Sequence, residues 1–303
     1  MTVSVVLCTY NGELYLEELL TSLKDQTYEI DELIIADDGS TDKTKHIISS
    51  FRKSNNNVKV IYNQKGKGAA RNFIETAITA KGDLVFFCDQ DDIWMLDKIE
   101  KMTAVMENRP EINMLASSLK PMFQGKTSLK SYLAVEKQGN NEKVMCVKPM
   151  AKNFNIKRSG CTMCIRKQYL QEISDLWVEG WYHDDFVWKC AVVSGCAAIY
   201  NYHTVVRRIH ERNSSIHIER TRNARIKLIE EEMCYINIAG TLLDNEHLKT
   251  EINKFIHFQN RRKQIIKNRN ILLLVYNIVF CGELYRTKGQ MLMDLYFVIC
   301  KTK

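Results

Sequence analysis

At 303 residues, 45% of them hydrophobic, the chain suits one large domain or two small ones with a sizeable core, and three prolines and 13 glycines exclude a linker-rich or low-complexity protein. No segment has transmembrane length, the N-terminus does not read as a signal peptide, and ten cysteines then fit free thiols in a reducing compartment. The net charge of +7 is uneven: residues 204–303 carry 18 Lys+Arg against 10 Asp+Glu, as an anionic membrane surface or an acidic partner would want, while residues 1–203 are near neutral.

In chain order, Val3 to Cys8 reads as a buried strand, followed by the turn Thr9-Tyr10-Asn11-Gly12 and a helix with Leu16, Leu19, Leu20 and Leu23 on one face. Leu33 to Ala36 is a second strand, ending at Asp37-Asp38-Gly39-Ser40-Thr41-Asp42, and Ile47, Ile48 and Phe51 mark the next helix. Val58 to Tyr62 is a third strand, followed by Lys65-Gly66-Lys67-Gly68 and a helix carrying Phe73, Ile74, Ala77 and Ile78. Leu84 to Cys88 is a fourth, running into Asp89-Gln90-Asp91-Asp92-Ile93-Trp94 and a helix through Ile99, Met102, Val105 and Met106. Strand and helix alternating at this spacing predict parallel strands with right-handed crossovers, a Rossmann-like half with helices over all four strands.

Each strand delivers polar residues to the same edge: Thr9 and Asn11, Asp37 and Asp38, Lys67 and Arg71, Asp89 and Asp91. Ligands of open α/β sheets bind at that edge. Three carboxylates within four residues repel one another unless a cation neutralises them, and their hard oxygens suit Mg²⁺ or Mn²⁺. The glycine patterns of a dehydrogenase or a P-loop enzyme are absent after the first strand. The expectation is a nucleotide diphosphate held through a metal.

The second hundred residues read less clearly. Residues 118–150 are polar and predict loop, Ser159 to Arg166 a strand, and Ala197 to Tyr202 a last strand. Cys161 and Cys164 have half of a zinc-knuckle spacing that Cys190 and Cys196 do not repeat. Trp181-Tyr182-His183-Asp184-Asp185-Phe186 leads into helical spacing, which places His183 to Asp185 at a helix N-terminus, as caps or as a catalytic base. From Ile218 the chain reads helical, with Arg261-Arg262-Lys263 and Lys267-Asn268-Arg269 ahead of an apolar run, Ile271 to Cys281, too short to span a bilayer.

The four runs Val-Ser-Val-Val-Leu-Cys-Thr-Tyr-Asn-Gly, Ile-Ala-Asp-Asp-Gly-Ser-Thr-Asp, Gly-Lys-Gly-Ala-Ala-Arg-Asn and Asp-Gln-Asp-Asp-Ile-Trp together resemble family 2 of the inverting glycosyltransferases, most closely bacterial rhamnosyltransferases and related polysaccharide-assembly enzymes. The resemblance implies the GT-A fold over residues 1–217, with a nucleotide-sugar-binding half (1–105), an acceptor half (106–217), and a helical basic region at 218–303. It places Thr9, Tyr10 and Asn11 beside the nucleotide, Asp38 on the base, Lys67 or Arg71 towards the nucleotide or diphosphate, Asp89 towards ribose and metal, and Asp91 on the metal, with His210 reaching the metal or diphosphate. Asp184 is the expected base and Asp185 its rival, since Asp185 stands where the family usually has an aromatic. Trp94 is read as a core anchor or a substrate platform.

The implied donor is a UDP- or dTDP-sugar, dTDP-rhamnose among them, and the acceptor a glycan or lipid-linked saccharide. Nucleic acid is not an expected partner, and a homodimer is a candidate assembly. The expected location is the cytoplasm, peripheral on the inner face of the membrane through residues 255–303. A nucleotide-sugar-binding scaffold and a sugar nucleotidyltransferase are the competing readings.

Overall fold

The computed structural model describes residues 1–124, 138–210 and 221–300. Their strands join one sheet of nine. β1 (Val3–Thr9), β2 (Glu32–Asp37), β3 (Val58–Tyr62) and β4 (Leu84–Asp89) are parallel in the order β3-β2-β1-β4, with helices α1 (Leu16–Lys24), α2 (Thr44–Lys53) and α3 (Ala69–Thr79) as crossovers. The register sets Thr9 beside Asp37 and Cys8 beside Asp89, so the strand ends share one edge as the sequence predicts.

Beyond β4 the sheet mixes directions. β8 (Met163–Arg166) is antiparallel to β4 and β6 (Met114–Phe123), and β6 runs parallel to β9 (Ala197–Ile209). The short β5 (Ile93–Trp94) and β7 (Val144–Cys146) pair with β9. Three expectations fail here. Residues 114–123 are a ten-residue strand rather than loop from 118, and β9 extends past Tyr202 to carry Arg207 and Arg208 inside the sheet. Ser159–Arg166 is also only half strand, since a 3₁₀ turn at Gly160–Thr162 precedes β8.

The apolar runs of β1, β2 and β4 follow from burial on both faces. Val5, Leu7, Leu33, Ile35 and Phe86 face α1, α2 and α4 (Lys98–Asn108), whereas Val6, Ile34, Val85 and Phe87 face α3 and the acceptor side. β3 is different: it is the sheet edge, and Val58 alone of its residues is buried, which corrects the expectation that helices cover all four strands.

On the acceptor side, α5 (Lys167–Ile173) and α6 (His183–Val193) lie against the sheet, and Trp181, Phe186 and Trp188 fill the core there. α7 (Arg222–Ala239) and α8 (Glu246–Asn268) join the same core through Tyr235, Ile236, Leu248, Ile252, Phe255 and Phe258. α9 (Ile271–Cys281) and α10 (Lys288–Ile299) pack on α8. Thr221, Asn245, Asn270 and Thr287 cap these four helices by accepting a backbone N–H in the first turn. No helix among the described residues is long and apolar enough to cross a membrane. The proposed boundary at 217 falls outside the described residues.

Candidate active site

The strand ends are held in place by short polar contacts. Gln90 Oε1 accepts from Thr9 Oγ1 (2.6 Å) and the Tyr10 N–H (2.9 Å), while its Nε2 donates to the Tyr10 carbonyl (3.0 Å). This clasp fixes the β1 turn to the acidic run. It also explains Gly12, where a Cβ would come within 2.5 Å of Gln90 Oε1. Asn11 takes the left-handed conformation (φ 48°) and accepts the Thr41 N–H, joining the first turn to the second.

Asp38 is buried, and its two carboxylate oxygens accept the N–H groups of Lys67 (2.8 Å) and Gly68 (2.9 Å), with Asn63 adding a third bond. It thereby shapes the loop leading to α3. Lys67 pairs with Glu75, and Arg71 with Glu75 and Glu179, so both cations stand at the partly exposed rim.

The acidic run forms the floor. Asp89 is pushed up to about 8 and Asp92 to about 7, by burial first and then by neighbouring carboxylates. Asp91 Oδ2 lies 2.9 Å from His210 Nε2, which brings together two of the expected metal-site residues. His210 also lies against the Tyr15 ring. The ligand atoms of Asp89, Asp92 and Cys161 all lie within 4.8 Å of one another. Asp92 is 1% exposed, and its Oδ2 has no hydrogen-bond partner among the described residues. An orphaned buried carboxylate oxygen beside two further carboxylates fits a hard divalent cation such as Mg²⁺ or Mn²⁺.

Sequence reasoning gave no role to several supporting residues. Arg207, on β9, loses hydration by burial, but the Asp92, Asp89 and Asp91 carboxyls around it shift its guanidinium upwards on balance. The Arg208 backbone N–H donates to Asp92 Oδ1, and its side chain pairs with Glu18. Trp94 is buried in the core, with Lys98 Nζ 3.5 Å from its ring centroid, so the core-anchor reading holds and the platform reading does not. Lys98 donates to the Cys161 carbonyl and is lowered to about 8 by burial. Clustered Arg207 and Arg208 were the visible signal; the roles of Gln90 and Cys161 had none.

α6 starts at His183. His183 stacks on Phe73 (4.0 Å between centroids) and is kept neutral by burial. Asp184 is partly exposed, lies against Gly160, and is near enough for its charge to raise Asp89 further. Asp185 points elsewhere: it accepts from Trp181 Nε1 (2.8 Å) and from the buried Lys189 (2.6 Å), which also pairs with Glu232 of α7. The segment after His210 lies outside the described residues.

The family model for glycosyl transferase family 2 matches residues 4–167, more than half of the chain. The chain belongs to glycosyl transferase family 2. Among its relatives, TuaG of Bacillus subtilis, named for teichuronic acid biosynthesis, is 37% identical over 107 residues, 35% of this chain and 42% of TuaG. WfgD of Escherichia coli, named a UDP-Glc:alpha-D-GlcNAc-diphosphoundecaprenol beta-1,3-glucosyltransferase, is 34% identical over 104 residues, 34% of this chain and 40% of WfgD. The matches thus span about two fifths of these curated relatives. The Staphylococcus aureus TarS 1–349 structure with UDP-GlcNAc superposes with a TM-score of 0.68 at 19% identity, covering 99% of this chain and 81% of that one. At that identity the likeness establishes a shared fold for this family 2 chain, a mixed sheet flanked by helices with a helical C-terminal part.

Proposed function

We propose that the protein is a metal-dependent inverting glycosyltransferase of bacterial surface polysaccharide assembly. It moves a sugar from a UDP- or dTDP-sugar, dTDP-rhamnose among the candidates, to a hydroxyl of a glycan or lipid-linked saccharide. The observation that carries the reading is the carboxylate cluster at the end of β4, with His210 on Asp91, Cys161 beside Asp89 and Asp92, and Asp184 against the neighbouring Gly160. TarS with UDP-GlcNAc, and the mannosyltransferase PcManGT of Pyrobaculum calidifontis in complex with GDP-Man and Mn²⁺ (TM-score 0.53, 14% identity, covering 98% of this chain and 84% of that one), support a nucleotide-sugar donor and a divalent ion.

Thr9, Tyr10, Asn11 and Asp38 line the nucleotide side, with Lys67 and Arg71 at the rim towards the diphosphate. Asp91 and Asp89, with His210, would hold Mg²⁺ or Mn²⁺, which neutralises charge on the leaving diphosphate. Asp184 takes the proton of the acceptor hydroxyl as that oxygen bonds to the anomeric carbon. The bond from that carbon to the phosphate oxygen breaks, and the nucleoside diphosphate leaves with its electron pair. The units 1–217 and 218–303 are catalytic and auxiliary on this reading, and the chain works in the cytoplasm, peripherally on the inner membrane face through residues 255–303.

The experiment is release of nucleoside diphosphate across a panel of nucleotide sugars with Mn²⁺ or Mg²⁺. Asp91→Ala should reduce turnover by about 10²–10³-fold, with thermal unfolding in chelator unchanged. Full turnover in that variant, or in excess chelator, rejects the metal role.

A further inference from the structure

The C-terminal helices leave an apolar surface that the catalytic reading does not use. α9 buries Leu274 and Asn277, whereas Ile271, Leu272, Val275, Tyr276, Val279 and Phe280 are 47–81% exposed. α10 does the same: Asp294, Phe297 and Val298 are buried, and Leu292, Tyr296 and Ile299 are 42–64% exposed. A helix packed on a soluble domain normally turns polar residues outwards. Exposed apolar side chains are ordinary when scattered, but a continuous run along a helix marks an interaction surface.

The surrounding charge identifies what covers it. Residues 255–303 carry nine Lys and Arg against two acids. Both acids are engaged, Asp294 by Arg262 and Arg225 inside the bundle and Glu283 by Lys152 and Lys254. Lys267 and Arg269 immediately precede the α9 stripe, and Arg286 and Lys288 flank the start of α10. Lys267, Arg269 and Lys288 have no ion pair among the described residues. A second copy docking on this face would bring the same positive charge to the interface. A bilayer of anionic phospholipid offers both an apolar interior and the opposite charge.

We propose that α9 and α10 form an interfacial anchor whose apolar stripes enter the headgroup–acyl boundary of an anionic phospholipid bilayer, with Lys267, Arg269, Arg286 and Lys288 on the phosphates. This rests on the peripheral placement proposed above and names its surface and lipid chemistry. Eleven residues of helix reach only about 16 Å, so α9 lies in the surface and does not cross it.

Vesicle flotation tests the anchor, with mixed phosphatidylglycerol–phosphatidylcholine vesicles compared with phosphatidylcholine alone. The full chain should float with the anionic vesicles at low salt, less at high salt, and hardly with the neutral ones. Leu272→Glu/Phe280→Glu should lower binding by about tenfold or more, with unchanged thermal unfolding and nucleoside-diphosphate binding. Asp91→Ala should float like the unaltered protein, which separates failure of the anchor from failure of the transferase reading. No binding to anionic vesicles, or binding unaffected by the two glutamates, overturns the proposal. So does sedimentation showing a dimer that those glutamates split while vesicle binding is absent.

Discussion

Asp184→Asn should lower kcat by about 10²–10⁴-fold with donor affinity unchanged, the loss expected when a positioned general base is removed. Asparagine keeps the side-chain shape and can still accept the Asp185 backbone N–H that Asp184 Oδ1 accepts at 2.9 Å, so the start of α6 should remain intact. Only the proton acceptor is lost. The comparison with Asp185→Asn is informative because Asp185 is enclosed by Trp181 and Lys189. That variant should lose stability and retain most of its turnover. Binding of nucleoside diphosphate by calorimetry, with steady-state kinetics on the same samples, measures both effects. Equal loss of kcat in the two variants would contradict the assignment of Asp184.

Lys189→Ala should destabilise the protein by about 3–5 kcal/mol, because it strands two carboxylates in the core. Lys189 is fully buried between Asp185 and Glu232, and this triad joins α6 to α7. The Asp185 carboxyl is already raised to about 6, by burial first and against the pull of Lys189. A carboxyl raised on folding keeps a proton that the unfolded chain has released. Its contribution to stability therefore falls as pH climbs from about 4 to about 6. Without Lys189 the carboxyl rises further and the window extends upwards. Urea unfolding should find the variant nearest to the unaltered protein at pH 5 and furthest from it at pH 8. A deficit that does not change with pH would place the loss in packing alone.

What the sequence disclosed and what it hid have the same physical origin. β1, β2 and β4 are buried on both faces and stand out as apolar runs, so their shared edge and its polar residues were legible. β6 was missed because it carries Ser117, Ser118, Lys120 and Pro121. Ser117 is tolerated in the core through contacts with Thr204 and the Thr162 carbonyl, which a local pattern does not reveal. The length of β9 was hidden for a related reason. Two arginines read as the end of a strand until Asp89, Asp92 and Glu18 are found beside them. Asp184 and Asp185 are adjacent in sequence and equivalent as letters. The fold separates them by turning one against Gly160, partly exposed, and the other towards Lys189. Gln90 likewise stands in the variable position of a motif, and its clasp on Thr9 and Tyr10 appears only when β1 and β4 are paired.

The central claim is a single displacement with Asp91 on the leaving-group side and Asp184 as the base, and the anomeric configuration of the product tests it most directly. With the active donor identified, proton NMR of the freshly formed glycoside should show the configuration opposite to that of the donor sugar. Retained configuration in the initial product would contradict direct attack by an acceptor oxygen deprotonated at Asp184.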